Sequence, residues 1–278
     1  MIENGGQTAG DVVALGRMVG RAGREWWGMS DPSAARVSGG FLMPEQPKDG
    51  SGSAAPREDL LTYVCQTMRE NEGVLYRSSK ETYSEVVGFI NDAVDSIGAA
   101  LKRGATPESY ARYAVLYCLI HVLMPVGGAI YINALGGNLP ACFMELRLAL
   151  ESLVKCYLAD SHYPGRDFFQ DRLHSLEKDK KSISALMKQL DADLGLEEGS
   201  IGLWRALSED WVHTKGIMDG IVGHLVERSD APAWGLVIPR SYRQEDLSSL
   251  DELRKRLAQF RCLLKHVMQE YYKRVSFS

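Results

Sequence analysis

From residue 58 onward, apolar residues return every three or four positions, the spacing of helices that bury one face. The strict alternation of a half-buried strand is sustained nowhere, so the predicted class is all-α, a multi-helix bundle. Helices are predicted over 58–76 and 79–103. The second opens on Ser78 with Glu81 three residues on, a capping-box pattern, and ends at Gly104. Its stripe reads Tyr83, Val87, Ile90, Val94, Ile97 and Leu101. Thr106-Pro107-Glu108 then offers an N-cap followed by a first-turn proline. Further helices are expected over 140–159, 166–194, 200–227 and 246–274. The 166–194 stripe carries Phe168, Phe169, Leu173, Leu176, Ile183, Met187 and Leu190. The last carries Leu250, Leu253, Leu257, Phe260, Leu264, Val267 and Tyr271. Only WGLVIP, Trp234 to Pro239, reads as a short extended piece.

Residues 113–135 are different. No charged residue occurs between Arg112 and Glu145, and the run is apolar enough to pass a test for a membrane span. Pro125, Gly127 and Gly128 break it, His121 and Asn133 sit inside it, and no second such run exists. A buried central helix gives the same signal, and that is the expectation here, with a membrane partner disfavoured.

The first 57 residues divide in two. Over 8–27 a helix is predicted with Val12, Leu15, Val19 and Trp26 on one stripe and Arg17, Arg21 and Arg24 on another. Gly16, Gly20 and Gly23 add a ridge of small residues. This basic segment reads as an interaction arm. Residues 28–57, rich in Gly, Pro and Ser, read as a linker, leaving 58–278 as the bundle domain.

Composition narrows the class. With 45% hydrophobic and 24% charged residues among 278, wholesale disorder is excluded. A net charge of −4 argues against a nucleic-acid binder built on bulk charge. The five cysteines form no CxxC pair, and four of them (Cys65, Cys118, Cys142, Cys156) lie in or beside apolar runs. They read as small hydrophobes in a reducing compartment. The opening residues lack a secretory pattern, and the expected location is cytoplasmic.

Candidate chemistry is sparse. Asp171 with His174 and Asp210 with His213 stand at i, i+3, the spacing by which helical bundles present metal ligands, with Glu145 or Glu151 as further carboxylates. Arg147 and Glu151 form an i, i+4 pair in an otherwise apolar helix, either a structural bridge or the lining of a cleft. In the final helix Arg261 and His266 enclose CLLK. That spacing resembles the metal-independent ribonuclease motif of the HEPN superfamily. The resemblance implies that His266 exchanges a proton with an attacking 2′-hydroxyl while Arg261 stabilises charge on the phosphate.

The run from Leu135 to Asp160, with R-x-x-x-E, followed by LWRALSEDWVHTKG, resembles prokaryotic helical families grouped with HEPN domains. The matching positions are Arg147, Glu151, Ser208 and His213. The resemblance implies a helical bundle, often a homodimer, in proteins linked to antiviral defence, toxin modules or RNA. Two functions of different class therefore stand open. The first is a helical binding or assembly protein acting on a protein partner or a second copy, and the second is an HEPN-like endoribonuclease. A metal-binding bundle enzyme follows behind them, and the sequence names no cofactor.

Overall fold

The computed structural model describes residues 57–208 and 239–277. The chain divides into two compact units, Met1–Ala54 and Ala55–Ser278, and the described residues belong to the second. The predicted helix over 8–27 with Arg17, Arg21 and Arg24, most of the linker, and the extended piece at 234–238 lie outside them. So do Asp210 and His213.

Every described element is helical. In order they are α1 (Arg57–Ser78), α2 (Lys80–Lys102), α3 (Pro107–Arg112), α4 (Ala114–Cys118), a π-helical turn (Leu119–Leu123), α5 (Met124–Leu135), α6 (Leu139–His162), α7 (Phe169–Lys178), α8 (Ile183–Leu194), α9 (Gly199–Leu207) and α10 (Asp246–Arg274). The fold is all-α, as the periodicity predicts.

The core is built around α6, which packs against α4, α5, α7, α8, α9 and α10. Leu146, Leu150, Leu153, Val154 and Tyr157 are all completely buried along it. Helix α10 lies beside it and also packs on α2. All seven stripe residues of α10, from Leu250 to Tyr271, are buried as expected. The more apolar run Ala114–Leu135 is only partly enclosed, with 44% of its most apolar stretch buried. Among the described residues it alone is long and apolar enough to cross a membrane by length and composition.

That run bends where its sequence requires. Pro125 has no N–H to return to residue 121, so the preceding turn widens, and the Met124 N–H bonds the Leu119 carbonyl five residues back. Gly127 lets α5 approach α2 closely, because a Cβ there would meet Phe89 and Ile90 at 2.9 Å.

Four expectations need correction. The capping box at Ser78 does not form: α1 runs through Ser78, and Ser79 precedes α2 without a side-chain cap. The buried stripe of α2 is Thr82, Val86, Phe89, Ala93, Ile97 and Ala100, one residue back from most of the expected positions, while Leu101 is 39% exposed. Apolar residues sit next to one another at several positions of this helix, and its inward face is the one that packs Phe89 on Phe260 at 5.2 Å and joins Thr82 to the Leu250 carbonyl. The single helix over 166–194 is two. After Lys178 the charged run turns through Lys180, at φ 52°, and Ser182 restarts the helix by accepting from the Ala185 N–H. Finally, Cys65 is exposed, as is Cys262, while Cys118, Cys142 and Cys156 are buried.

Candidate functional site

The polar pair inside α6 is joined by α9. Arg147 Nε donates to Glu151 at 2.8 Å, and the indole N–H of Trp204 donates to the same carboxylate oxygen at 2.9 Å. The Arg147 guanidinium also lies over the Trp204 ring, 5.4 Å from its centre. One turn on, the buried Ser208 hydroxyl donates to the Trp204 carbonyl at 2.7 Å. Thus Arg147 and Glu151 meet at the Trp204 indole, while Ser208 bonds only the backbone of its own helix. Arg147 and Glu151 remain 22% and 24% exposed. Such a pair contributes about 1 kcal/mol and keeps contact with solvent. Within the cluster the Arg147 charge is met by Glu151 and its guanidinium lies over Trp204, so the pair is a bridge between α6 and α9.

Arg261 faces α2, with Nη1 2.6 Å from Glu85 and Nε 2.5 Å from Asp92. Lys265 reaches Asp92 at 3.3 Å. The carboxylates beside the guanidinium raise its already high pKa, Asp92 first. Room for it comes from Gly88, where a Cβ would run into the guanidinium. Gly88→Ala is therefore expected to push Arg261 off both acids and lower stability by about 1–3 kcal/mol, read from urea unfolding. An unchanged midpoint would contradict that packing. His266 lies five residues along the same helix, about 140° around it from Arg261. Its Nε2 is buried without a hydrogen-bond partner.

Asp171 and His174 both stand on the exposed side of α7. Among the described residues no group of three His, Cys, Asp or Glu side chains could hold a metal ion.

The largest polar centres were not legible as sites. Asp160, 4% exposed, accepts from the Ala114 N–H at 2.9 Å, the Val115 N–H at 3.0 Å, Arg172 at 3.0 Å and the Tyr271 hydroxyl at 2.9 Å. It therefore caps α4 from α6 and ties both to α7 and α10. Burial pushes this carboxyl above the ordinary range, against the pull of those donors. Asp191 repeats the device, accepting from the Ser200 and Ile201 N–H groups at the start of α9. On α1, Asn71 donates to the Leu135 and Arg240 carbonyls and accepts from the Tyr242 N–H. The signal for all three is a polar residue on a buried stripe: Asn71 between Thr67 and Leu75, Asp160 after Leu153 and Tyr157, Asp191 four residues after Met187.

A second feature is apolar. Ile132 on α5 is 60% exposed, and Met144 and Leu148 on α6 are 49% and 51% exposed. These two helices are joined by the short turn at Gly136–Asn138, where Gly137 takes φ +69°. His121 and Pro125 are exposed on the same charge-free run. Comparison with protein-family models, with curated proteins and with solved structures finds no match.

Proposed function

We propose that the chain is a helical assembly protein that pairs with a second copy of itself through the α5–α6 hairpin. The observation supporting this reading is that Ile132 projects into solvent from a run without a charged residue between Arg112 and Glu145, and that Met144 at its end and Leu148 one turn beyond it are about half exposed. Burying the exposed half of such side chains yields about 1 kcal/mol each, and a twofold contact uses every one twice. Gly128 has nothing within 4 Å of where a Cβ would stand, so a neighbouring backbone can come close. The expected result is that Met144→Glu with Leu148→Glu halves the mass seen by light scattering. Stability should change little, since both side chains are half exposed. A wild-type protein that is already monomeric, or a variant of unchanged mass, would count against the hairpin.

Histidine chemistry adds a pH test. Burial pushes the His121 imidazole below its ordinary value, so the fold prefers the neutral ring. That preference contributes above the ordinary histidine range and is lost as pH falls through the lowered value. Charging His121 would place a cation on the charge-free run that carries Ile132. Self-association should therefore weaken on acidification, and His121→Gln should flatten the dependence. Identical profiles for the two proteins would remove His121 from the contact.

A ribonuclease reading, with the RNA or defence role that the HEPN resemblance implies, is the second. It is favoured by the His266 Nε2, which is buried without a hydrogen-bond partner among the described residues. It requires RNA cleavage that persists in a chelator and vanishes in His266→Ala; cleavage that the variant retains would end it.

A further inference from the structure

The end of α6, the start of α4 and the last turn of α10 enclose a cleft of about 290 Å³. Asp160 and the 2% exposed Arg172 lie at its inner end, with Tyr113, Ser161, Tyr271 and the exposed Arg274 around it. Three of the five N–H groups of Arg172 are engaged, by Asp160 and by the Arg166 and Pro164 carbonyls. Arg274 makes no ion pair within 4 Å among the described residues; its Nη2 donates to the neutral Asp193 carbonyl at 3.3 Å. Among the acids nearby, Glu270 pairs with Lys273 at 2.5 Å and Asp193 lies 3.2 Å from His162. Arg172 pairs with Asp160, which leaves the Arg274 guanidinium as the exposed cation lining the cleft.

Beside the cleft, Tyr157 is completely buried one turn before Ser161, and its ring lies 5.8 Å below the Arg274 guanidinium.

We propose that this cleft binds a small oxyanion, the carboxylate or phosphoryl group of a small molecule, between Arg274 and the remaining N–H groups of Arg172. A guanidinium fork matches the two oxygens of either group, and Ser161 stands within the same cleft to donate a further hydrogen bond. The site is independent of the self-association reading, since it shares no residue with the exposed hairpin face.

The experiment is thermal unfolding of the full chain titrated with acetate or with inorganic phosphate, at an ionic strength held constant with sodium chloride. A saturable rise in Tm is expected from one of the two, and which one saturates separates carboxylate from phosphoryl recognition. Arg274→Gln should raise the half-saturating concentration at least tenfold, equivalent to about 1.4 kcal/mol. Ser161→Ala should raise it less, and it carries the test if Arg274→Gln lowers Tm in chloride alone. No rise beyond chloride, or a rise both variants keep in full, would overturn the proposal.

Discussion

Replacing Asp160 with alanine is expected to lower the unfolding free energy by about 3–5 kcal/mol, the largest effect of any single substitution among the described residues. Four donors converge on this carboxylate, and all of them lose their acceptor when it is removed. The Ala114 and Val115 N–H groups would face an empty space at the start of a buried helix, and the Tyr271 hydroxyl would lose its acceptor. Arg172 would keep its charge in a site where it is 2% exposed, with only two carbonyls for company. That uncompensated cation dominates the cost. The account can be dissected by adding Arg172→Met, which takes the stranded charge away. The double variant should be more stable than Asp160→Ala alone, because a buried ion pair replaced whole is cheaper than one broken in half. Urea unfolding of the four proteins reads the coupling directly, and additive losses would show that the two side chains do not act as a pair.

Asn71→Ala is expected to cost about 2–4 kcal/mol. Its amide is completely buried and joins three pieces of chain that are far apart in sequence. The NH₂ donates to the Leu135 carbonyl at 2.7 Å and the Arg240 carbonyl at 2.8 Å, while the oxygen accepts from the Tyr242 N–H at 2.9 Å. Around it, Arg240 bonds the Gly136 and Gly137 carbonyls and Asp246, and Tyr242 reaches the Ala134 carbonyl at 2.6 Å. The amide therefore fastens the segment leading into α10 onto the turn between α5 and α6. Asn71→Asp separates this role from simple volume. Aspartate has the same shape but cannot donate to two carbonyls, so it should be at least as damaging as alanine at neutral pH. An aspartate variant as stable as the wild type would mean that the amide donors are not needed.

Helix period was the strongest signal in the sequence, and it carried the fold a long way. The α10 stripe was read correctly at every position because its seven apolar residues form a single narrow face. The α2 stripe is shifted by one residue from most of the expected positions because apolar side chains are adjacent in its sequence, at Val86–Val87 and Phe89–Ile90 for example. Contacts with distant helices, such as Phe89 with Phe260 and Thr82 with the Leu250 carbonyl, go with the face that turns inward. The break between α7 and α8 depends on one lysine at φ 52°, a backbone state that no periodicity reports. Glu151 and Arg147 could be paired from their spacing, but Trp204 joins them across 53 residues of sequence, beyond the reach of any local pattern. Asp160 and Arg172 were hidden for the opposite reason. Each is a charge on an apolar stripe, and its meaning appears only when α6 and α7 are laid side by side.

The most direct test of the self-association account is sedimentation velocity of the full chain over a range of concentrations, in buffer without detergent. The account predicts a species of twice the 30.8 kDa chain mass that gives way to monomer on dilution. A single 30.8 kDa species at every concentration would contradict it. So would a protein that stays in solution only with detergent, which would assign the exposed face of Ala114–Leu135 to lipid.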